Sequence, residues 1–264
     1  MTGRIEREEL ERGRVGEGEP PPVPRDAATL ILAREREAGF EVLFLRRPEE
    51  ARFAAGAYVF PGGTIDPSDG DPALLERLPA AVVEPEGAAF VAGLRELFEE
   101  TGFLPADGAA EAGGGEAARR GRRALLAGRR SFAELVQSAG LSFRELRAAY
   151  HSRWITPARF RRRYDTRFFL VHSEQDRPEL TGELESWLWS RPTAALEGFD
   201  RGDLPMLFPT RRTVEALAGH RSLDSAFAAC RETAVVARLP RLLVTEHGVQ
   251  PVLPGDEGYE EADG

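Results

Sequence analysis

An α/β fold built on a central sheet is predicted by three features of this 264-residue chain. Two short apolar runs, Ala28-Thr-Leu-Ile-Leu-Ala33 and Glu41-Val-Leu-Phe-Leu-Arg46, flank a polar link containing Gly39 and read as strands buried on both faces. Phe168-Phe-Leu-Val171 and the alternating Glu183-Leu-Glu-Ser-Trp-Leu-Trp189 read as later strands, the second with Glu183, Glu185, Trp187 and Trp189 on one face. Between the two pairs, Arg95-Glu-Leu-Phe-Glu-Glu-Thr-Gly-Phe103 has helical spacing. Glu96, Glu99 and Glu100 at i, i+3 and i+4 share a flank, Leu94 and Leu97 turn to an apolar side, and Gly102 supplies a left-handed stop.

Composition narrows the function classes. A net charge of −9, from 35 basic and 44 acidic residues, argues against a general nucleic-acid-binding surface. All the basic residues are Arg, since the chain has neither Lys nor Asn. The single cysteine, Cys230, excludes an internal disulfide and a thiolate metal cluster and fits a reducing compartment, so a cytoplasmic location is expected. The N-terminal stretch is charged and then Pro-rich, without the apolar core of a signal peptide, and no apolar run approaches the ~18 residues of a membrane span. The closing Glu-Ala-Asp-Gly264 differs from a peroxisomal tripeptide. His151, His172, His220 and His247 are scattered without ligand spacing and are expected to be structural or exposed.

Taken in order, residues 1 to 26 mix Glu, Arg and Gly and end in Glu19-Pro-Pro-Pro-Val-Pro24, which predicts a mobile tail. After the second strand, Gly56-Ala-Tyr-Val-Phe-Pro-Gly-Gly63 reads as a glycine-rich turn with Arg46, Arg47 and Arg52 shortly before it. Residues 66 to 86, rich in Pro and Asp with a weak helical patch at 74 to 78, read either as a lid or as a surface loop without chemistry. Residues 105 to 115 read as a flexible linker and the Arg-rich run from 119 to 130 as a solvated face. Two capping boxes, Ser131-Phe-Ala-Glu134 and Ser142-Phe-Arg-Glu145, predict a helical hairpin over 131 to 150 whose stripe of Phe132, Leu135, Val136 and Ala139 is core. Ser190 with Pro192 starts a helix through Leu196, and Thr210 starts one that Gly219 ends. Pro205-Met-Leu-Phe-Pro-Thr210 between them suits either an apolar pocket or plain packing. Edge strands at 241 to 245 and 250 to 254 and an acidic tail over 255 to 264 close the chain.

The acidic helix carries the chemistry. Like charges at helical spacing cost roughly a few tenths of a kcal/mol per pair, and a divalent cation held by oxygen ligands compensates them. Arg95 can orient one or two of the acids through its fork of donors. The glycine-rich turn lets backbone approach a diphosphate closely, with arginines near its oxygens; solvated arginines beside an ordinary turn are the alternative.

These residues carry a resemblance. Arg95 to Phe103 is similar, at every fixed position, to the second half of the Nudix box, Gly-x5-Glu-x7-Arg-Glu-U-x-Glu-Glu-x-Gly-U with U apolar. The first half departs from it: Asp69 stands where the box has Glu, and the interval from Gly63 to Arg95 is 18 residues longer than the motif. Phe60-Pro-Gly-Gly-Thr-Ile-Asp66 with its enlarged loop, followed by Arg153-Trp-Ile-Thr-Pro157 and Arg163-Tyr-Asp-Thr-Arg-Phe-Phe169, resembles the coenzyme A diphosphatase branch over residues 27 to 254. The resemblance implies a Nudix α/β/α sandwich with a central mixed sheet, an enlarged box loop at 66 to 86 and a helical insertion at about 107 to 150. It implies Glu99 and Glu100 as principal ligands of Mg²⁺ or Mn²⁺, Glu96 as a further ligand, a carbonyl lent by Gly62, and Arg95 as a brace. Gly63, Arg46, Arg47 and Arg52 would meet substrate, and the general base would be Glu100 or a further acid from the sheet, Glu183 or Glu185. The implied reaction is metal-dependent hydrolysis of a diphosphate in a small nucleotide, coenzyme A or acyl-coenzyme A first, giving 3′,5′-ADP and (acyl-)4′-phosphopantetheine. No nucleic-acid or membrane partner is implied, and a homodimer is left open. Hydrolysis of ADP-ribose or NADH by the same site, and a non-catalytic ligand sensor permitted by the altered first half, stand as alternatives.

Overall fold

The computed structural model describes residues 15, 19–51, 54–82, 85–107, 115–246 and 248–262. The first two expected strands form, as β1 (Arg25–Arg36) and β2 (Gly39–Arg46). With β3 (Tyr58–Val59), β4 (Gly62–Thr64), β5 (Ala148–Ile155), β6 (Tyr164–His172), β7 (Ser186–Ser190) and β8 (Ala237–Arg238) they make a mixed sheet in the order β3-β2-β1-β6-β5-β8, with β4 added on β1 and β7 on β2. β1 is longer than its apolar run because its two halves serve different partners along one edge: Ala27 to Thr29 pair with β4, and Ala33 to Arg36 with β2. Its other edge pairs in parallel with β6.

Alternation along β1 then sorts the helices into two layers. Ala28, Leu30 and Leu32 point into one core with α1 (Pro72–Leu75), α2 (Gly87–Thr101), α3 (Glu116–Leu126) and α4 (Phe132–Ser138). Ile31 and Ala33 point into the other with α5 (Pro192–Arg201), α6 (Phe208–Ala218) and α7 (Leu223–Glu232). The result is the α/β/α sandwich with a mixed central sheet that the resemblance implied. The expected helix start at Pro192 and the stop at Gly219 hold, but the first helix runs past Leu196 to Arg201 and the second begins at Phe208 rather than Thr210; α7, opened by a capping box at Ser222, was not foreseen.

Several expectations are corrected. The glycine-rich turn is in part a strand: Gly62 and Gly63 lie in β4, held by backbone bonds from Leu30 to Pro61 and from Ile65 to Asp26. Residues 66 to 82 are not the surface loop that was one expectation, because Asp69, Leu74, Leu78 and Val82 are buried; residues 83 and 84 of the expected segment lie outside the described residues. The helical hairpin over 131 to 150 is reduced to α4. Gly140 turns the chain with φ 62°, the Ser142 hydroxyl donates to Asp107 instead of capping a helix, and the Glu145 N–H also goes to Asp107. Residues from Ala148 onward are strand β5, where Tyr150 stacks on Phe169 of β6. The strand expected at 183 to 189 starts only at Ser186 and leaves Glu183 in the preceding turn. β9 (Arg241–Thr245) and β10 (Gly248–Val252) form a hairpin apart from the main sheet rather than its edges. Residues 255 to 262, expected as a loose tail, fold back so that the Arg241 guanidinium lies over the Tyr259 ring. Met206 is buried in the second core and its segment pairs with Tyr58, which is packing rather than a pocket.

The enlarged loop and the segment after α4 are fastened to each other. Phe143 N–H donates to Arg77 O, Arg77 to Leu141 O, and Arg144 to Glu76 O. If this loop is core, Leu74→Ala should destabilise the protein by about 2–5 kcal/mol in urea unfolding, the usual cost of a buried leucine. A loss smaller than about 0.5 kcal/mol, typical of surface changes, would show the loop to be peripheral.

Candidate active site

The acids sit on the last two turns of α2, a helix that packs its opposite face against β1. Phe90, Leu94, Leu97 and Phe98 are fully buried there, and a side chain at Gly93 would strike Leu30. Gly102 adopts φ 75° and ends the helix, as its position in the sequence leads one to expect.

Arg95 is the hub of the site. Its Nε and Nη2 donate to the two oxygens of Asp69 at 2.9 and 3.0 Å, Nη2 also to Thr64 O at 2.9 Å, and Nη1 to Glu96 at 2.8 Å and Glu99 at 3.4 Å. Burial alone would lower the pKa of this guanidinium, but the Asp69 bond and the surrounding carboxylates hold it well above its ordinary value. Asp69 is 1% exposed, so the residue that replaces the box Glu makes a full bidentate pair from within the enlarged loop.

Helix and strand β4 meet through Glu96 and Glu100. The Glu96 carboxyl lies against Gly63 so closely that a Cβ there would come within 2.3 Å of it, and a Cβ on Gly62 would come as near to Ala28 O. Both positions therefore require glycine for close approach. Gly62 occupies a rung without ladder bonds to β1, so its N–H and C=O face away from that strand, and the N–H donates to Glu100 Oε2 at 3.1 Å.

Burial dominates the protonation of the three acids. It raises Glu96 against the opposing pull of Arg95, raises Glu99 to about 7, and raises Glu100 to about 8, with the Glu96 charge adding to the last and the Gly62 N–H working against it. Glu183 and Arg47 are the next charges that act on Glu100. Of the two sheet-side acids, the turn before β7 thus brings Glu183 toward the box acids. Glu185 instead meets Arg46 at 3.1 Å, and Arg46 also holds Glu49. Arg46 is thereby occupied by carboxylates and Arg47 is the expected substrate arginine that stands near Glu100; Arg52 lies outside the described residues.

The oxygen set fits a hard divalent cation in its chemistry: half-buried carboxyls whose pKa values burial raises, beside a backbone carbonyl turned outward from the sheet. It is not a finished cage. Glu96 and Glu99 lean on Arg95 while Glu100 leans on Gly62, and among the described residues no three acidic, His or Cys side chains converge as metal ligands. A cavity of about 430 Å³ lies beside Asp66 at the other end of α2, lined by Asp26, Asp66, Glu86 and Arg167. Arg167 is already paired with Asp26 and Glu86, so this acid-rich hollow does not suit a phosphate.

Sequence reasoning missed Arg122. Read as part of a solvated basic run, it is 8% exposed and donates Nε and Nη2 to Glu99 O at 3.1 and 2.8 Å. The signal was present: Ala118, Gly121, Arg122 and Leu125 follow helical spacing on the inward face of α3.

Replacing Asp69 by Asn should cost about 3–5 kcal/mol in denaturant unfolding, since it leaves the buried guanidinium short of its counter-charge; a cost below about 1 kcal/mol would remove Asp69 from the hub. In protein stripped of divalent cations, the raised Glu99 and Glu100 bind protons in the folded chain to a higher pH than in the unfolded one. Their contribution to stability is therefore full below the ordinary value of 4.5 and is lost as pH rises through about 8. Urea midpoints in EDTA should fall over that window, less steeply in Glu100→Gln, and added Mg²⁺ should restore them at the alkaline end.

Comparison with known proteins gives the following. No family model matches the sequence. The chain is 28% identical to the acyl-coenzyme A diphosphatase NUDT19 of Gallus gallus over 90% of its own length and 80% of that protein. It is 29% identical to the Homo sapiens protein of the same name, over 84% and 73%. The crystal structure of a NUDIX hydrolase from Alicyclobacillus acidocaldarius superposes with a TM-score of 0.67 at 32% identity, covering 78% of this chain and 96% of the other.

Proposed function

This chain belongs to the Nudix hydrolases, and from that premise we propose that it hydrolyses the diphosphate linkage of coenzyme A or acyl-coenzyme A. The observation that carries the proposal is the junction of α2 with β4, where Glu96 lies on Gly63 and Glu100 on Gly62 with Arg95 bracing from behind. The relatives named for acyl-coenzyme A supply the substrate class. Nudix hydrolases generally use divalent cations, and we assign Mg²⁺ or Mn²⁺ here to Glu96, Glu99, Glu100 and the Gly62 carbonyl. Bound there, such an ion neutralises phosphate oxygens and acidifies a water.

The chain's own residues do the rest. Arg95 fixes Glu96 and Glu99 while Asp69 keeps the guanidinium in place. Gly63, without a side chain, lets the Glu96 carboxyl close onto β4 at the edge where the diphosphate would bind, and Arg47 offers a cation on the Glu100 side. Glu100 or Glu183 takes the proton from the attacking water; Glu185, held by Arg46, is the weaker candidate. The water oxygen bonds to phosphorus, the bridging P–O bond breaks, and 3′,5′-ADP and (acyl-)4′-phosphopantetheine leave. Among the described residues no helix is long and apolar enough to cross a membrane. The proposed partner is a small nucleotide.

Purified protein with Mn²⁺ or Mg²⁺ should cleave coenzyme A and acyl-coenzyme A in preference to ADP-ribose and NADH. Glu100→Gln should lower kcat by about 10²–10⁴-fold, the range for loss of a proton-transfer group. Equal cleavage of all four compounds would replace the substrate class, and tight binding without turnover would make the protein a sensor.

A further inference from the structure

The box helix carries its carboxylates at the wrong pole. A helix C-terminus bears partial negative charge and leaves four carbonyls without intrahelical partners. In α2 the last four carbonyls are satisfied one by one, the first by the helix's own cap residue and the other three by later parts of the chain. Phe98 O accepts from the Gly102 N–H, Thr101 O from the Glu179 N–H at 2.7 Å, and Glu100 O from the Thr181 N–H at 3.2 Å. Glu99 O alone is met by a charged side chain, the buried fork of Arg122. The guanidinium also lies over Gly102, where a Cβ would come within 3.2 Å of Nη1.

Arg122 comes from α3, which lies in the inserted segment and packs Gly121 against Leu135 of α4. Its neighbour Arg119 holds the Glu179 carboxylate at 2.9 Å, and Glu179 begins the turn that leads through Thr181 to Glu183. One helix of the insertion therefore grips both the last turn of α2 and the turn bearing Glu183.

We propose that Arg122 is a positioning residue, through which the insertion fixes the C-terminal turn of α2 so that Glu99 and Glu100 are held for cation binding and Glu183 is held opposite them. The consequence for cation binding rests on the diphosphatase reading above; the positioning itself does not. Hydrogen exchange on the whole protein tests the positioning: Arg122→Gln should lose protection at Gly102, Glu179 and Thr181 while β1 and β6 keep theirs. Mn²⁺ binding followed by electron paramagnetic resonance without substrate tests the consequence. Arg122→Gln should weaken binding about 10- to 100-fold, as removal of groups that orient ligands does, Arg122→Lys should recover part of it, and kcat should fall more than KM rises. Leu125→Ala, a buried change on the same helix that does not touch α2's carbonyls, should lower stability without altering Mn²⁺ affinity. Unchanged protection in Arg122→Gln, or equal weakening of Mn²⁺ binding in Leu125→Ala, would overturn the proposal. A wild-type protein that neither binds Mn²⁺ nor cleaves a diphosphate would sink the functional reading, and the exchange result would still decide the role of Arg122.

Discussion

A buried guanidinium is expensive unless nearly every donor finds an acceptor, and Arg95 meets that demand with Asp69, Thr64 O, Glu96 and Glu99 at once. Much of the site follows from this requirement. The enlarged loop must deliver Asp69 to the interior, and its apolar residues go inside with it. β4 must run close enough to α2 for Thr64 to offer its carbonyl, which leaves no space for a side chain at Gly63, while the approach of β1 leaves none at Gly62. Asp69, standing where the box has Glu, reaches the guanidinium with both of its oxygens from within the lengthened loop.

A second constraint is the crowding of Glu96, Glu99 and Glu100 at a helix end whose dipole opposes them. The protein answers with positive charge from three directions: Arg95 within the helix, Arg47 on the Glu100 side, and Arg122 on the terminal carbonyls. These cations do not remove the cost, since burial still raises all three carboxyls. The remainder is what makes a divalent cation a stabilising partner, and it gives the site a physical reason to bind one.

The segments at 66–82 and 115–146 are also less separate than their positions in the chain suggest. The first is bonded to the stretch after α4, and α3 is bonded to the end of α2. Both segments thus converge on the helix that bears the acids. We read them as a brace around the site, in place of the lid that a long Pro- and Asp-rich loop invites one to expect.

The sequence by itself determined the acidic flank of the box helix, its stop at Gly102, and the apolar centres of β1 and β2. These depend on residues within a few positions of one another, where side-chain spacing alone decides which face each occupies. The tertiary structure decided the rest. Asp69 meets Arg95 across 26 residues, Glu100 meets Gly62 across 38, and Arg46 draws Glu185 away across 139. The second capping box gave no helix because Asp107, far behind it in the chain, took its donors. Helical spacing could place Arg122 on the inward face of α3, but only the fold shows that Glu99 O is what it meets there. Such partnerships are set by the path of the backbone between distant segments, and no local pattern of residue types encodes that path.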